Sequence, residues 1–137
     1  MKKTTFKLII VALCSLYFSN AEAQDSTTPH KAIITFENSI HDYDTIVQGA
    51  NGDCIFRFTN TGDAPLLISD VNASCGCTKP RWGKKPVLPG KSGVIHVTYN
   101  TMLTGHFRKT LVVRTNAANG TNHVLRIQGF VRPNPRS

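Results

Sequence analysis

Acidic side chains are scarce in this chain, at 8 Asp and Glu against 16 Lys and Arg. No apolar run approaches the roughly 20 residues that cross a bilayer as a helix. No stretch of useful length keeps a helical period, which argues against helix bundles and wound α/β folds. A Ser-His-Asp ordering and a nucleophile elbow are both missing, so hydrolytic catalysis of that kind has no carrier and no enzyme is expected. A second Cys or His pair of zinc-site spacing is missing too. With no aromatic-rich nucleic-acid motif to accompany the basic residues, no nucleic-acid partner is expected. The length of 137 residues holds one domain and not two.

The first segment belongs to no domain. Met1-Lys2-Lys3 and Lys7 make a positive start, and Leu8 to Phe18 is an apolar run broken only by Ser15. Small residues at Ala21-Glu22-Ala23 complete the three-part pattern of a secretory signal, with cleavage expected after Ala23. The chain is therefore expected to be exported, to a periplasmic, outer-envelope or extracellular place, with no transmembrane segment left after processing. Removing Lys2, Lys3, Lys7 and Glu22 from 16 basic and 8 acidic residues leaves 13 and 7. That basic balance suits acidic partners such as anionic glycans.

Residues 24–32 read as a flexible lead-in and 132–137, rich in proline, as a disordered tail. Between them, turn signals separate short β-rich runs. These are Ile33 to Glu37, Tyr43 to Val47, Asp53 to Thr59, Leu66 to Asn72, Val94 to Asn100, Phe107 to Thr115 and His123 to Val131. Ala73 to Gly93, with three prolines, reads as a long irregular stretch. A turn is expected at Asn60-Thr61-Gly62-Asp63, taken as a tight hairpin in placing Cys54; a hairpin is expected around Met102 to Gly105, and another at Asn119-Gly120, the strongest hairpin signal present. Cys54, Phe56 and Phe58 alternate onto one face, as do Ile95, Val97 and Tyr99, and Leu125, Ile127 and Val131. One-sided burial on about seven short strands is what an immunoglobulin-like antiparallel β-sandwich over 33–131 requires.

The densest feature is Ser74-Cys75-Gly76-Cys77-Thr78-Lys79-Pro80, followed by Trp82, the Pro89-Gly90 turn, Gly105-His106-Phe107-Arg108-Lys109 and Ile127-Gln128-Gly129-Phe130-Val131. Taken in this order, with the Asn60-Thr61-Gly62 turn upstream, these residues resemble the bacterial exported family called domain of unknown function 1573. That family is related in shape to the domains of major sperm protein and Hydin-type proteins. The resemblance runs from about Thr35 to Val131 and implies an exported β-sandwich with no established reaction. Cys54 is outside the motif.

Three chemistries compete for the candidate loop Cys75, Gly76, Cys77, Thr78, Lys79, Arg81 and Trp82. An exported protein lives where thiols oxidise, so Cys75 and Cys77 can bridge across Gly76, or pair otherwise. In the expected Asn60–Asp63 hairpin Cys54 lies opposite about Ser69, far short of Cys75, and reads as a buried core thiol. Alternatively the two thiolates bind a soft ion, copper or zinc. Or they are apolar plugs in a turn that Gly76 permits. Lys79, Arg81, Lys84 and Lys85 follow at once and favour thiolate, or bind an anion. Trp82 reads as a core cap. Asp42 and Asp44 share a face as solvated edge residues or an acid/base or calcium pair. The expectation is a non-enzymatic binding module without cofactor, partnered by an envelope protein or anionic glycan. The alternative is a thiol-redox or copper/zinc-handling protein.

Overall fold

The computed structural model describes residues 28–136; the expected signal, 1–23, and residues 24–27 of the lead-in lie outside the described residues. Eight strands form: β1 Ile34–Phe36, β2 Ile40–Val47, β3 Asp53–Asn60, β4 Ile68–Ala73, β5 Thr78–Trp82, β6 Ser92–Tyr99, β7 Gly105–Thr115 and β8 Asn122–Arg132. They make two four-stranded sheets, β1-β3-β6-β5 and β2-β8-β7-β4. With the first strand split between sheets as β1 and β2, this is the strand order of an immunoglobulin-like sandwich. Among the described residues no helix is long and apolar enough to cross a membrane.

The inward positions are the ones alternation marks. Phe56, Ile95, Val97, Leu125, Ile127 and Val131 are essentially excluded from water, joined by Leu66, Leu111 and Val113. Each such side chain contributes about 1.5–3 kcal/mol of burial, which makes this shared layer the main force joining the sheets. β2 runs parallel to β8, with a register shift between Asp42 and Thr45 where Asp44 takes a positive φ of 52°. The bulge breaks the period of two there.

Several local expectations are corrected. The Met102–Gly105 segment does not turn a hairpin: β6 and β7 lie in different sheets, and the pairings such a hairpin would make, His106 with Tyr99 and His96 near Lys109, do not occur by register. Likewise Asn60–Asp63 does not pair β3 with β4, which also lie in different sheets. Alternation reports a buried face and is silent on the neighbour, and the chain here changes sheet instead of folding back. The stretch read as irregular contains β5, paired antiparallel to β6 with Thr78 against Tyr99 and Trp82 against Ile95. Pro80 in its middle hides the strand from a propensity reading, because proline is tolerated at an edge.

The lead-in is tied down earlier than residue 33. The Lys31 amide donates to Asp63 Oδ1 at 2.6 Å, and Ala32 is buried in the core. At the other end β8 runs through Arg132, one residue into the expected tail, and the Asn134 amide beyond it donates to Gln48 Oε1 at 3.4 Å. The Asn119-Gly120 hairpin does join β7 and β8. Asn119 also uses both ends of its amide on Ile34, accepting from its N–H at 3.2 Å and donating to its carbonyl at 2.8 Å, and so ties the turn of one sheet to β1 of the other.

Candidate functional site

The Cys-Gly-Cys loop is the crossover from β4, at the edge of one sheet, to β5, at the edge of the other. It is held at both ends. The Ser74 amide donates to Thr110 O at 2.8 Å and the Ser74 hydroxyl accepts from the Thr110 amide at 3.1 Å. The Asn100 amide donates to Cys77 O at 2.8 Å. Within it Cys75 and Cys77 are joined in a disulfide, with Cα atoms 5.3 Å apart. Thr78, buried, places its hydroxyl 3.8 Å from Cys75 Sγ and 3.9 Å from Cys77 Sγ, where it donates to sulfur. Gly76 is exposed, while Cys77 packs against the core. Two sulfurs spent on each other are not thiolates, so a soft metal requires the pair to be reduced first. Among the described residues no three of His, Cys, Asp and Glu converge as a metal site would need.

Beside the disulfide lies a hollow of ≈ 490 Å³ at one end of the sandwich, between the β2–β3, β4–β5 and β6–β7 connections. Several of its polar groups are spent on the fold. Thr101 Oγ1 donates to Ala50 O at 2.6 Å, Thr98 Oγ1 donates to Asp53 Oδ1 at 2.6 Å, and Asn51 Oδ1 accepts from the Asp53 amide at 2.9 Å. Beneath it Tyr99 stacks on Phe107 with ring centroids 3.9 Å apart, and Tyr43 tilts against Phe107 at 5.6 Å. Gly52 passes so close to the Tyr99 carbonyl that no Cβ fits there. Its own carbonyl accepts from Tyr43 Oη at 2.6 Å.

Cys54 is a free, buried thiol in β3. Burial pushes its pKa up, and the Tyr43 hydroxyl in contact with it opposes that only in part. The same burial, with Cys54 as neighbour, raises Tyr43 well above the ordinary phenol range. Both groups are therefore neutral members of the core layer at neutral pH.

The basic residues after the motif are sorted by β5. Lys79 and Arg81 point away from the core, whereas Thr78, Pro80 and Trp82 point toward it. Trp82 is half-buried against the core, as a cap, with Nε1 donating to Ile68 O at 3.4 Å; Lys84 Nζ lies 3.5 Å above its ring, a cation–π contact. The register sets Arg81 beside His96 and Ile55, Lys79 beside Thr98 and Asp53, and Arg57 beside Val94. Sequence reasoning missed Arg57 and His96 as members of this group. Their outward phase in the alternation was visible, but not which strands would flank β5.

Asp42 and Asp44 form no free carboxylate pair. Asp42 Oδ1 accepts from the Asp44 amide at 2.8 Å and Oδ2 from Gln128 Nε2 at 2.8 Å; these bonds, Gln128 first, hold its pKa below the usual range. They border a hollow of ≈ 570 Å³ on the outer face of the second sheet. Of the other histidines, His30 is exposed and faces Asp63, while the His123 ring bonds Gly120 O at 2.7 Å and the His41 ring packs edge-on to Tyr43 at 4.5 Å.

A family model described as "Protein of unknown function (DUF1573)" matches residues 34–131. No curated protein matches the sequence. Among solved structures, a protein of unknown function from Porphyromonas gingivalis W83 is similar with a TM-score of 0.68 and 10% identity, over 80% of this chain and 51% of that one. This chain thus spans about half the length of that protein. PapD-like domain 7 of human CEP192 is similar at TM-score 0.61 and 10% identity, over 76% of this chain and 88% of the domain. The periplasmic chaperone SfaE is similar at TM-score 0.50 and 13% identity, over 73% and 57%. At these identities the likeness is one of fold.

Proposed function

The chain belongs to the DUF1573 family, and on that premise we propose that it is an exported, non-enzymatic interaction module of the cell envelope. Its recognition surface is the disulfide-bearing end of the sandwich and the cationic face that β5 builds beside it. The observation that carries this reading is the contrast between the two kinds of polar group there. Thr101, Thr98, Asn51 and Asp53 around the hollow are engaged in holding loops. The cations of β5 have no carboxylate facing them across the register except Asp53, which Thr98 already engages. Groups engaged in holding loops position a surface, and groups left open recognise something. The signal-like segment Met1 to Ala23 supports export. An immunoglobulin-like sandwich serving as a binding scaffold is an analogy of fold.

The second reading, thiol-redox or copper handling, is favoured by one observation: Cys75 and Cys77 are a bonded pair only partly covered from solvent. Thiol counting with metal analysis on the exported protein separates the two. The binding-module reading expects one thiol, Cys54, titrating only after denaturation, and a Cys75–Cys77 pair that turns over no dithiol substrate. It also expects an envelope partner whose capture weakens when Lys79, Arg81, Lys84 and Lys85 are changed to Gln. Catalytic turnover of a dithiol, or one equivalent of copper lost in the Cys75→Ser, Cys77→Ser double variant, would overturn it.

A further inference from the structure

We infer that the outer face of the β1-β3-β6-β5 sheet is a binding site for an acidic polysaccharide, held by Lys79, Arg81, His96 and Arg57. This rests on the binding-module reading and names its ligand class.

A partner reaches a sandwich at a strand edge, a loop end or a sheet face. The edges here are guarded. The bond from the Asn100 amide to Cys77 O fixes the phase of the β5–β6 ladder. In that phase Lys79 and Arg81 exchange bonds with β6, and the backbone of Thr78, Pro80 and Trp82 turns outward. The Thr78 amide is taken by Cys75 O at 3.3 Å, and Pro80 has no amide to offer. β1 is 3 residues long, β2 is broken by its bulge, and the Ile68 carbonyl of β4 is taken by the Trp82 indole. Strand addition finds no long open edge.

The face is different. Neighbouring strands lie about 4.8 Å apart and alternate residues about 6.7 Å, so Lys79, Arg81, His96 and Arg57 share one small area. Two carboxylates border it: Asp53 at the corner, which accepts from Thr98, and the exposed Glu37 just past β1, whose amide donates to Arg57 O at 3.0 Å. Among the described residues the ion pair of the structure is His30 with Asp63, so none of Arg57, Lys79 and Arg81 has a carboxylate within ion-pair distance. Neither Asp53 nor Glu37 is ion-paired to Arg57, Lys79 or Arg81, and Lys79 and Arg81 on β5 have open solvent on their other side, so the patch keeps an excess of positive charge that works against folding. Charge complementarity then calls for an anion from outside.

Its shape points to a polymer. Two shallow depressions, of ≈ 230 Å³ and ≈ 280 Å³, both include Arg81 and His96 and open along the sheet. Ile55, 42% exposed, lies beside His96 and next to Arg57 along β3, and Val94 lies between Arg57 and the β5 side. That alternation of apolar contact and charge matches the C–H faces and acid groups of a sugar chain. The aromatic ring beside the face, Trp82, is half-buried and covered by Lys84, which leaves no platform for stacking a nucleobase.

The test measures binding of the exported protein to alginate, which is carboxylated, to heparin, which is sulfated, to neutral dextran and to duplex DNA. Two triple variants of equal charge change are compared: Arg57→Gln, Lys79→Gln, Arg81→Gln on this face, and Arg108→Gln, Arg114→Gln, Arg132→Gln on the opposite sheet. The site predicts binding to alginate or heparin, weakened about tenfold or more by the first triple and less than about threefold by the second, since contact charges outweigh distant ones. Which of the two binds better tells carboxylate from sulfate recognition. Equal loss in both triples, binding to neither polysaccharide, or DNA bound as tightly with the same dependence on the first triple would each overturn the site. Melting curves of both triples confirm that the fold is intact. Dithiol turnover would sink the module reading and leave this result standing, so the two failures are separable.

Discussion

Two consecutive connections carry the chain from one sheet to the other, and they are fastened by unlike chemistry. The β3–β4 crossover is fastened by a buried amide. Asn60 is 0% exposed, and its side chain makes every hydrogen bond an amide can. Nδ2 donates to Ala64 O at 2.8 Å and Val87 O at 2.9 Å, and Oδ1 accepts from Gly62 N at 3.0 Å and Ile33 N at 3.4 Å. It thereby ties three separate segments together. The β4–β5 crossover is fastened by the Cys75–Cys77 bond, which closes a ring around one residue and ties nothing distant. A bridge restrains the unfolded chain in proportion to the logarithm of the loop it closes, so this one contributes little of that kind. The covalent fastening is the weaker structural device, which is why the disulfide loop reads as surface chemistry and the Asn60 turn as scaffold.

That contrast is breakable. The largest effect expected is Asn60→Ala, which removes all four bonds, leaves the Ala64 carbonyl and the Gly62 and Ile33 amides without that partner while Val87 O keeps the Leu66 amide, and destabilises the fold by about 3 kcal/mol or more in urea denaturation. A loss under about 1 kcal/mol would mean that water replaces the amide and the ranking is wrong. Gly62→Ala comes next. A Cβ there would collide with the Lys31 carbonyl and lie 2.6 Å from the Ile33 amide. The incoming strand must shift, at a cost of about 2 kcal/mol in the same assay. Cys75→Ser with Cys77→Ser is expected to cost at most about 1.5 kcal/mol, the loop-entropy value for so short a ring. A larger loss would make the disulfide structural after all.

The smallest effect is one of pH. Donation from the Lys31 amide first, and contact with His30 second, hold the exposed Asp63 carboxyl below its usual pKa. A depressed carboxyl stabilises the fold above the ordinary carboxylate pKa, and the contribution disappears as pH falls through the lower folded value. Asp63→Asn should therefore flatten the acid limb of a stability–pH curve slightly and leave its neutral plateau nearly in place. An unchanged acid limb would show that the pin on Lys31 does not depend on charge.

Much of the scaffold was legible. The rows Cys54-Phe56-Phe58, Ile95-Val97-Tyr99 and Leu125-Ile127-Val131 are buried where alternation puts them, and Asn119-Gly120 turns between β7 and β8. Asn60 was legible as a turn former. The alternation of β3 carries Asn60 onto the inward face with Cys54, Phe56 and Phe58, but nothing local tells what it bonds there, since the carbonyls come from Ala64, just past the turn, and from Val87, in another connection. The candidate site was half legible. Cys75, Cys77, Lys79, Arg81 and Trp82 are adjacent in the chain, but Arg57 and His96 join them through pairing between distant strands.

The sequence by itself determined the all-β class, the inward faces and the motif, because side-chain alternation and turn chemistry are properties of neighbouring residues. Tertiary structure alone decided which strands pair, that two expected hairpins cross between sheets, that a proline-bearing edge strand carries the motif, and that scattered cations gather on one face. Those outcomes depend on contacts between segments tens of residues apart, whose free energy is set by the shared core and leaves no local mark on the chain.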